Sequence, residues 1–122
     1  MTALPVICIV DDDRWARGGL EDLIASLGYK TCCFESAEQF IESGAVGSAT
    51  CLITDLHMPG LSGLDLQSRL RSEGYRTPII FVTAYPSEMH RSRAFEDGAL
   101  GFLTKPYDAQ SLVDCIELAI TR

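Results

Sequence analysis

Apolar residues along this chain gather in short runs: Leu4 to Val10, Tyr29 to Phe34, Cys51 to Thr54, Ile79 to Val82 and Leu100 to Thr104. Runs of this length, bounded by turn formers, read as strands. Helical period fills the stretches between them. Arg14 to Leu27 sets Leu20, Leu23, Ile24 and Leu27 on one face before Gly28 stops the helix. Ser36 caps a short second helix with Glu38 in its first turn and Phe40 and Ile41 inside, ending at Gly44. Ala45 to Thr50 reads as loop. Leu64, Leu66 and Leu70 mark a third helix that follows the turn formers Pro59 to Gly63 and ends at Glu73-Gly74. A fourth starts at Pro86-Ser87 and runs from Glu88 to Asp97 with few apolar residues (Met89, Ala94, Phe95), which predicts loose anchoring. Asp108 caps a fifth, with Leu112, Ile116, Ala119 and Ile120 facing inward. Strands alternating with helices in this way predict an α/β fold of five βα units on a parallel sheet.

What stands at the strand ends changes the picture from architecture to chemistry. The first strand runs into Asp11-Asp12-Asp13, the third into Asp55, the fourth into Thr83 and the fifth into Lys105-Pro106. In a parallel sheet these ends share one edge, where open α/β sheets bind ligands. Crowded carboxylates repel one another and raise at least one pKa unless a cation neutralises them. Magnesium suits such a set, because it takes oxygen ligands from one or two carboxylates together with phosphate oxygens and water. Asp12 and Asp55, with Asp11 reaching through water, form the expected site. Asp55 can then attack a phosphoryl group as a carboxylate nucleophile, with Lys105 and Thr83 sharing the charge that develops on the transferred oxygens. Each piece has a plainer reading: the acidic triplet as a helix cap, Asp55 as part of a turn, Thr83 as a strand-end hydroxyl, Lys105 as a surface amine. It is their conjunction in one chain that favours phosphoryl chemistry.

Composition narrows the partners. At 122 residues the chain is the size of one domain, and its net charge of −7 disfavours nucleic acid and anionic membrane surfaces. The five cysteines, at 8, 32, 33, 51 and 115, form no C-x-x-C pair, so neither a disulfide framework nor a zinc site is indicated. Cys8, Cys51 and Cys115 read as reduced core thiols. Without a signal-like segment or a run of about 20 apolar residues, a cytoplasmic location is expected.

The segments I-V-D-D-D at 9 to 13, D-L-H-M-P-G at 55 to 60 with S-G at 62 and 63, V-T-A at 82 to 84, and G-A-L-G-F-L-T-K-P at 98 to 106 resemble the CheY-like receiver domain of two-component response regulators. The likeness runs from Val6 to about Ile120. It implies a doubly wound, flavodoxin-like three-layer sandwich of (βα)5 topology with strand order 2-1-3-4-5. It also implies a role for each matching residue. Asp55 is the phosphoacceptor for a sensor histidine kinase, and Asp11, Asp12, Asp55 and the His57 backbone carbonyl hold Mg2+. Thr83 and Lys105 bind the phosphoryl oxygens, Phe102 is the aromatic that swings inward when Thr83 moves, and Lys105-Pro106 is a cis peptide. His57 and Tyr85 fall where the family varies and tune phosphoryl lifetime; a rim residue with ordinary titration is the alternative for His57, and a plain core phenylalanine the alternative for Phe102.

M-P-G-L-S-G-L-D-L-Q and K-P-Y-D-A-Q-S-L are similar to the FixJ-like subgroup, whose receivers precede a helix-turn-helix output domain. Residues 1–122 are read as a single receiver with no such output domain in the chain. The resemblance implies that the fourth helix, fifth strand and fifth helix, where His90, Arg91 and Arg93 lie, form a surface that dimerises or releases an output controlling transcription. Two rivals remain at this point: a Mg-dependent phosphatase with an aspartate nucleophile in a D-x-D pattern, which Asp11 and Asp13 fit, and an interaction module that needs no phosphorylation.

Overall fold

The computed structural model describes residues 4–121. Its strands are β1 (Val6–Val10), β2 (Lys30–Phe34), β3 (Cys51–Asp55), β4 (Ile79–Thr83) and β5 (Gly101–Thr104). Its helices are α1 (Arg14–Ser26), α2 (Ala37–Ser43), α3 (Gly63–Ser72), α4 (Glu88–Glu96) and α5 (Ala109–Thr121). All strand pairs are parallel, in the order β2-β1-β3-β4-β5, as the resemblance implies. Two boundaries differ from the sequence reading. Leu4 is exposed and precedes the strand, which begins only after Pro5. The stretch read as loop contains one 3-10 turn, Ala45–Gly47, entered through Gly44 in the left-handed region at φ 72°.

Alternation along the strands feeds two cores. Ile7, Ile9, Cys51, Ile53, Ile80 and Val82 pack against Leu20 and Ile24 of α1 and Leu112, Ile116 and Ala119 of α5. Cys8, Val10, Leu52, Ile79 and Phe81 face the other way, onto Ala37 and Phe40 of α2, Leu64, Leu66 and Leu70 of α3, and Ala94 of α4. Helices therefore cover both faces, and β3 and β4 are buried at every position.

The helix α4 has little apolar anchorage, as its composition predicts. Only Ala94 is buried, while Met89 is 74% exposed. Its C-terminal end is tied by α3 instead: Gln67 Nε2 donates to the Ala94 carbonyl at 3.0 Å and Arg71 Nε to the Asp97 carbonyl at 2.8 Å. The N-terminal half has a capping bond from the His90 N–H to Ser87 Oγ and little buried apolar surface. The two ends of this helix are thus held differently, by side-chain hydrogen bonds from α3 at one and by its own cap at the other.

The helix that follows β3 starts with a reciprocal cap. The Asp65 N–H donates to Ser62 Oγ at 3.1 Å, and the Ser62 N–H to Asp65 Oδ2 at 3.0 Å. The Ser62 backbone N–H, and then its hydroxyl, hold the Asp65 carboxyl below its ordinary value. A depressed pKa means stability that is present above the unfolded-state value and lost as pH falls through the folded one. Asp65→Asn should therefore cost under about 1 kcal/mol at neutral pH, discounted for solvent screening. In thermal melts of both proteins, that gap should close as the pH drops below the carboxylate range; a gap constant with pH would assign the cost to packing.

Candidate functional site

Four strand ends deliver the site. Asp55 is the last residue of β3, Thr83 the last of β4, and Asp11 and Lys105 directly follow β1 and β5. Register fixes their spacing along the edge: Val10 lies opposite Thr54, Asp55 opposite Val82, and Thr83 opposite Thr104. All the residues singled out in the acidic site converge here. The carboxylates of Asp11, Asp12 and Asp55 each offer an oxygen, and these lie within 4.8 Å of one another. Asp11 is fully buried, Asp55 is 8% exposed, and Asp12 faces solvent. This is a hard-oxygen donor set with one open side, and it fits a magnesium ion that keeps waters.

Lys105 is drawn into the acidic cluster. Its Nζ donates to Asp11 Oδ2 at 3.0 Å and to Asp55 Oδ2 at 3.2 Å. Burial alone would lower the lysine pKa, but the hydrogen bond and charge of Asp11, and then of Asp55, outweigh it and raise it. At Asp55 the balance tips the other way. Burial, then the Asp11 charge, raise its pKa in spite of Lys105 and of the His57 N–H, which donates to Asp55 Oδ1 at 3.3 Å. In this protein Asp55 is a carboxylate kept short of counter-charge, the condition that favours capture of a cation.

The acidic triplet divides its labour, and the cap reading holds for one member, Asp13. Asp13 is the N-cap of α1, its Oδ1 accepting from the Trp15 N–H at 2.9 Å and the Ala16 N–H at 3.4 Å. One oxygen of the second acid in the rival phosphatase's D-x-D pattern is thus committed to the helix. Asp11 Oδ1 accepts from the Asp13 N–H at 2.9 Å, which leaves Oδ2 for Lys105.

Thr83 is fully buried, and its Oγ1 accepts from the Tyr85 N–H at 3.1 Å, so the hydroxyl hydrogen stays available to donate elsewhere. Tyr85 itself is 75% exposed. The His57 ring lies edge-on between Tyr85 and His90, with centroids 6.1 and 5.6 Å away, and its Nε2 is 3.3 Å from the Tyr85 carbonyl oxygen. Phe102 lies inside the core, 6.3 Å from the Phe81 ring. Lys105-Pro106 is cis.

Several supporting residues escaped the sequence reading. Arg17 Nη1 donates to the Asp11 carbonyl at 2.7 Å, and Glu38, read only as a first-turn acid, accepts from the Leu61 N–H at 3.1 Å and so braces the loop after Asp55. No sequence pattern announces either. Gly63 did carry a signal, lying at a helix start behind Ser62. Its N–H donates to the Leu56 carbonyl at 2.9 Å, and a Cβ there would meet the Asp55 carbonyl group and stand 3.1 Å from Phe81 Cε1. Because that neighbour is backbone, it cannot swing aside. Gly63→Ala should cost about 1–3 kcal/mol in denaturant unfolding and shift Asp55; a variant as stable as the parent would show that the loop yields freely.

A family model described as the response regulator receiver domain matches residues 7–117. The chain is 37% identical over 115 residues to the response regulator protein TmoT of Ectopseudomonas mendocina, covering 94% of this chain and 52% of that protein. It is 32% identical over 120 residues to the transcriptional regulatory protein FixJ of Bradyrhizobium diazoefficiens, covering 98% of this chain and 58% of FixJ. The chain thus spans about half the length of the curated relatives it matches. Among solved structures, the response regulator StyR superposes with a TM-score of 0.91 at 38% identity, over 98% of this chain and 60% of that one. The N-terminal domain of FixJ does so with a TM-score of 0.87 at 27% identity, over 100% and 97%.

Proposed function

This chain belongs to the response regulator receiver family, and on that premise we propose that it takes a phosphoryl group from a sensor histidine kinase onto Asp55 and passes the signal to an output. The observation that carries the reading is the Lys105 ammonium bridging Asp11 and Asp55 where their strands end, beside a third carboxylate. Asp11, Asp12, Asp55 and the His57 carbonyl would hold magnesium. When bound, magnesium neutralises the carboxylates and shares the charge of the phosphoryl oxygens.

An Asp55 oxygen attacks phosphorus, and the bond to the kinase imidazole breaks. Lys105 exchanges its bond to Asp55 for one to the incoming phosphoryl oxygen, retaining Asp11. The Thr83 hydroxyl, whose oxygen accepts from the Tyr85 N–H and whose hydrogen has no acceptor among the described residues, donates to a second oxygen. Drawing Thr83 inward pulls on the Tyr85 amide and hence on the segment that leads into α4, whose N-terminal half has the least buried apolar anchorage. That couples the charge at Asp55 to the surface of α4, β5 and α5, where homodimerisation or release of an output would be read. Phe102, already buried, and His57 and Tyr85, at the rim, would adjust the switch and the lifetime of the acyl phosphate. The chain acts as a regulatory domain whose chemistry is limited to its own phosphorylation and slow dephosphorylation.

The relatives' printed names support transcription as the output, and the resemblance to the FixJ-like subgroup adds a helix-turn-helix domain in a longer protein. The charge of −7 argues that these residues do not themselves hold nucleic acid. Among the described residues no helix is long and apolar enough to cross a membrane; the cytoplasm, where a kinase would meet it, is part of the proposal. Intact mass after incubation with acetyl phosphate tests the reading: one phosphoryl should be gained with magnesium and none with chelator. A folded protein that gains none would leave the fold without the switch.

A further inference from the structure

None of the five cysteines takes part in the proposed switch, yet two of them occupy an unusual juxtaposition. Cys8 of β1 and Cys32 of β2 are register partners in the parallel ladder, so their side chains leave the same face of the sheet side by side. Neighbouring strands lie about 4.8 Å apart, inside the Cα separation of roughly 4.4–6.8 Å that a disulfide spans. One thiol is inside and the other outside: Cys8 has no exposed surface, whereas Cys32, on the edge strand, is exposed.

Chemistry separates the two further. Burial keeps the Cys8 thiol out of an oxidant's reach and, with the neighbouring Cys32 and Cys33, pushes it up to about 12, so it carries its proton until the hydroxyl leaving Cys32 beside it can take that proton. Cys33 points to the opposite face of the strand, where its thiol donates to Glu21 Oε2 at 3.3 Å. It is therefore turned away from both. Cys32 is the thiol that solvent meets first, and Cys8 is the thiol next to it.

We propose that Cys32 and Cys8 form an oxidation-sensitive pair, in which a hydroperoxide oxidises Cys32 to the sulfenic acid and Cys8 resolves it to a disulfide between β1 and β2. In the first step Cys32 sulfur attacks the terminal peroxide oxygen. The O–O bond breaks, the peroxide is reduced to an alcohol or water, and sulfur is oxidised by two electrons. In the second, Cys8 sulfur attacks Cys32 sulfur, the S–O bond breaks, and the hydroxyl leaves as water with the Cys8 proton. A thiol reductant reverses the change. The disulfide would staple the strand that leads into Asp11 to the edge of the sheet.

The test uses the reduced protein with hydrogen peroxide, followed by intact mass and non-reducing peptide mapping. The expected result is a monomer lighter by two hydrogens, with the β1 peptide joined to the β2 peptide. Cys32→Ser should abolish that product. Cys8→Ala, checked for folding by circular dichroism, should retain an oxygen on Cys32 that a dione reagent traps. Wild-type protein in which Cys32 accumulates oxygen while Cys8 remains a free thiol would overturn the proposal. So would a product linked only between the Cys32 residues of two chains, or a Cys32 that fails to react.

Discussion

Asp55→Asn should take up no phosphoryl from acetyl phosphate and form no beryllofluoride adduct, while folding to a protein at least as stable as the parent. The loss is complete because the amide lacks the charged oxygen that attacks phosphorus. Stability follows from the electrostatics of the site. Burial and the Asp11 charge raise the Asp55 pKa above its ordinary value, so the neutral form is the one the fold prefers. A raised folded-state pKa contributes stability that is fully present below the unfolded-state value and is lost as pH rises through the folded one. Asparagine keeps a neutral group at every pH. In chelator, then, the variant should be the more stable of the two at neutral pH, and denaturant titrations should converge as the pH falls to the carboxylate range. Magnesium should narrow the neutral-pH gap by stabilising the parent, since binding to the folded state alone adds to its stability by mass action. A variant that still gains one phosphoryl would move the acceptor elsewhere. One that loses uptake and unfolds more easily would mean that Lys105 compensates Asp55 more fully than the balance of burial and charge implies.

Where the sequence was legible and where it was not follows from the range of the interactions. Strands such as Ile79–Thr83 are buried at every position and leave a continuous apolar signature. Helix starts at Ser36, Ser62 and Ser87 carry their caps within four residues, as do Asp13 and Asp108. These signals are local, and Ser36, Asp108 and the helix start at Ser87 were read from them, whereas Ser62 was read only as a turn former. The convergence of Asp11, Asp55, Thr83 and Lys105 was readable too, because a parallel sheet aligns all its C-terminal ends whatever the details of packing. What escaped is long-range and polar. Glu38 reaches the loop after Asp55, Arg71 reaches the Asp97 carbonyl, and Gln67 reaches across to α4, each over 23 or more residues. Surface-type residues give no periodic sign of such a partner. The pairing of Cys8 with Cys32 belongs to the same class, since only the register of β1 on β2 sets them side by side.

Lys105→Met should cost about 2–4 kcal/mol of stability in chelator, the range for leaving a buried carboxylate without its charged partner. Asp11 has no exposed surface, and with the ammonium gone its Oδ2 loses its only hydrogen bond among the described residues while facing Asp55 across the same space. The lysine pKa is raised overall, so its contribution is complete below the unfolded-state value and fades only as the pH rises through the folded one; at neutral pH the whole of it is lost on substitution. Methionine of similar length keeps the packing, which isolates charge. Magnesium and Lys105 answer the same negative charge, so the ion should stabilise the variant by more than it stabilises the parent. Trp15, the single tryptophan, is 82% exposed in the first turn of α1, beside Asp12 and Asp13, and its fluorescence can follow the titration. Phosphoryl uptake should persist, slowed, because the attacking oxygen remains while one stabilising contact to the transferred group is gone. If the variant were as stable as the parent in chelator, the lysine would be swinging in solvent and its two carboxylate bonds would carry no weight. Equal magnesium stabilisation of both proteins would place the ion away from the Asp11 and Asp55 oxygens that Lys105 neutralises.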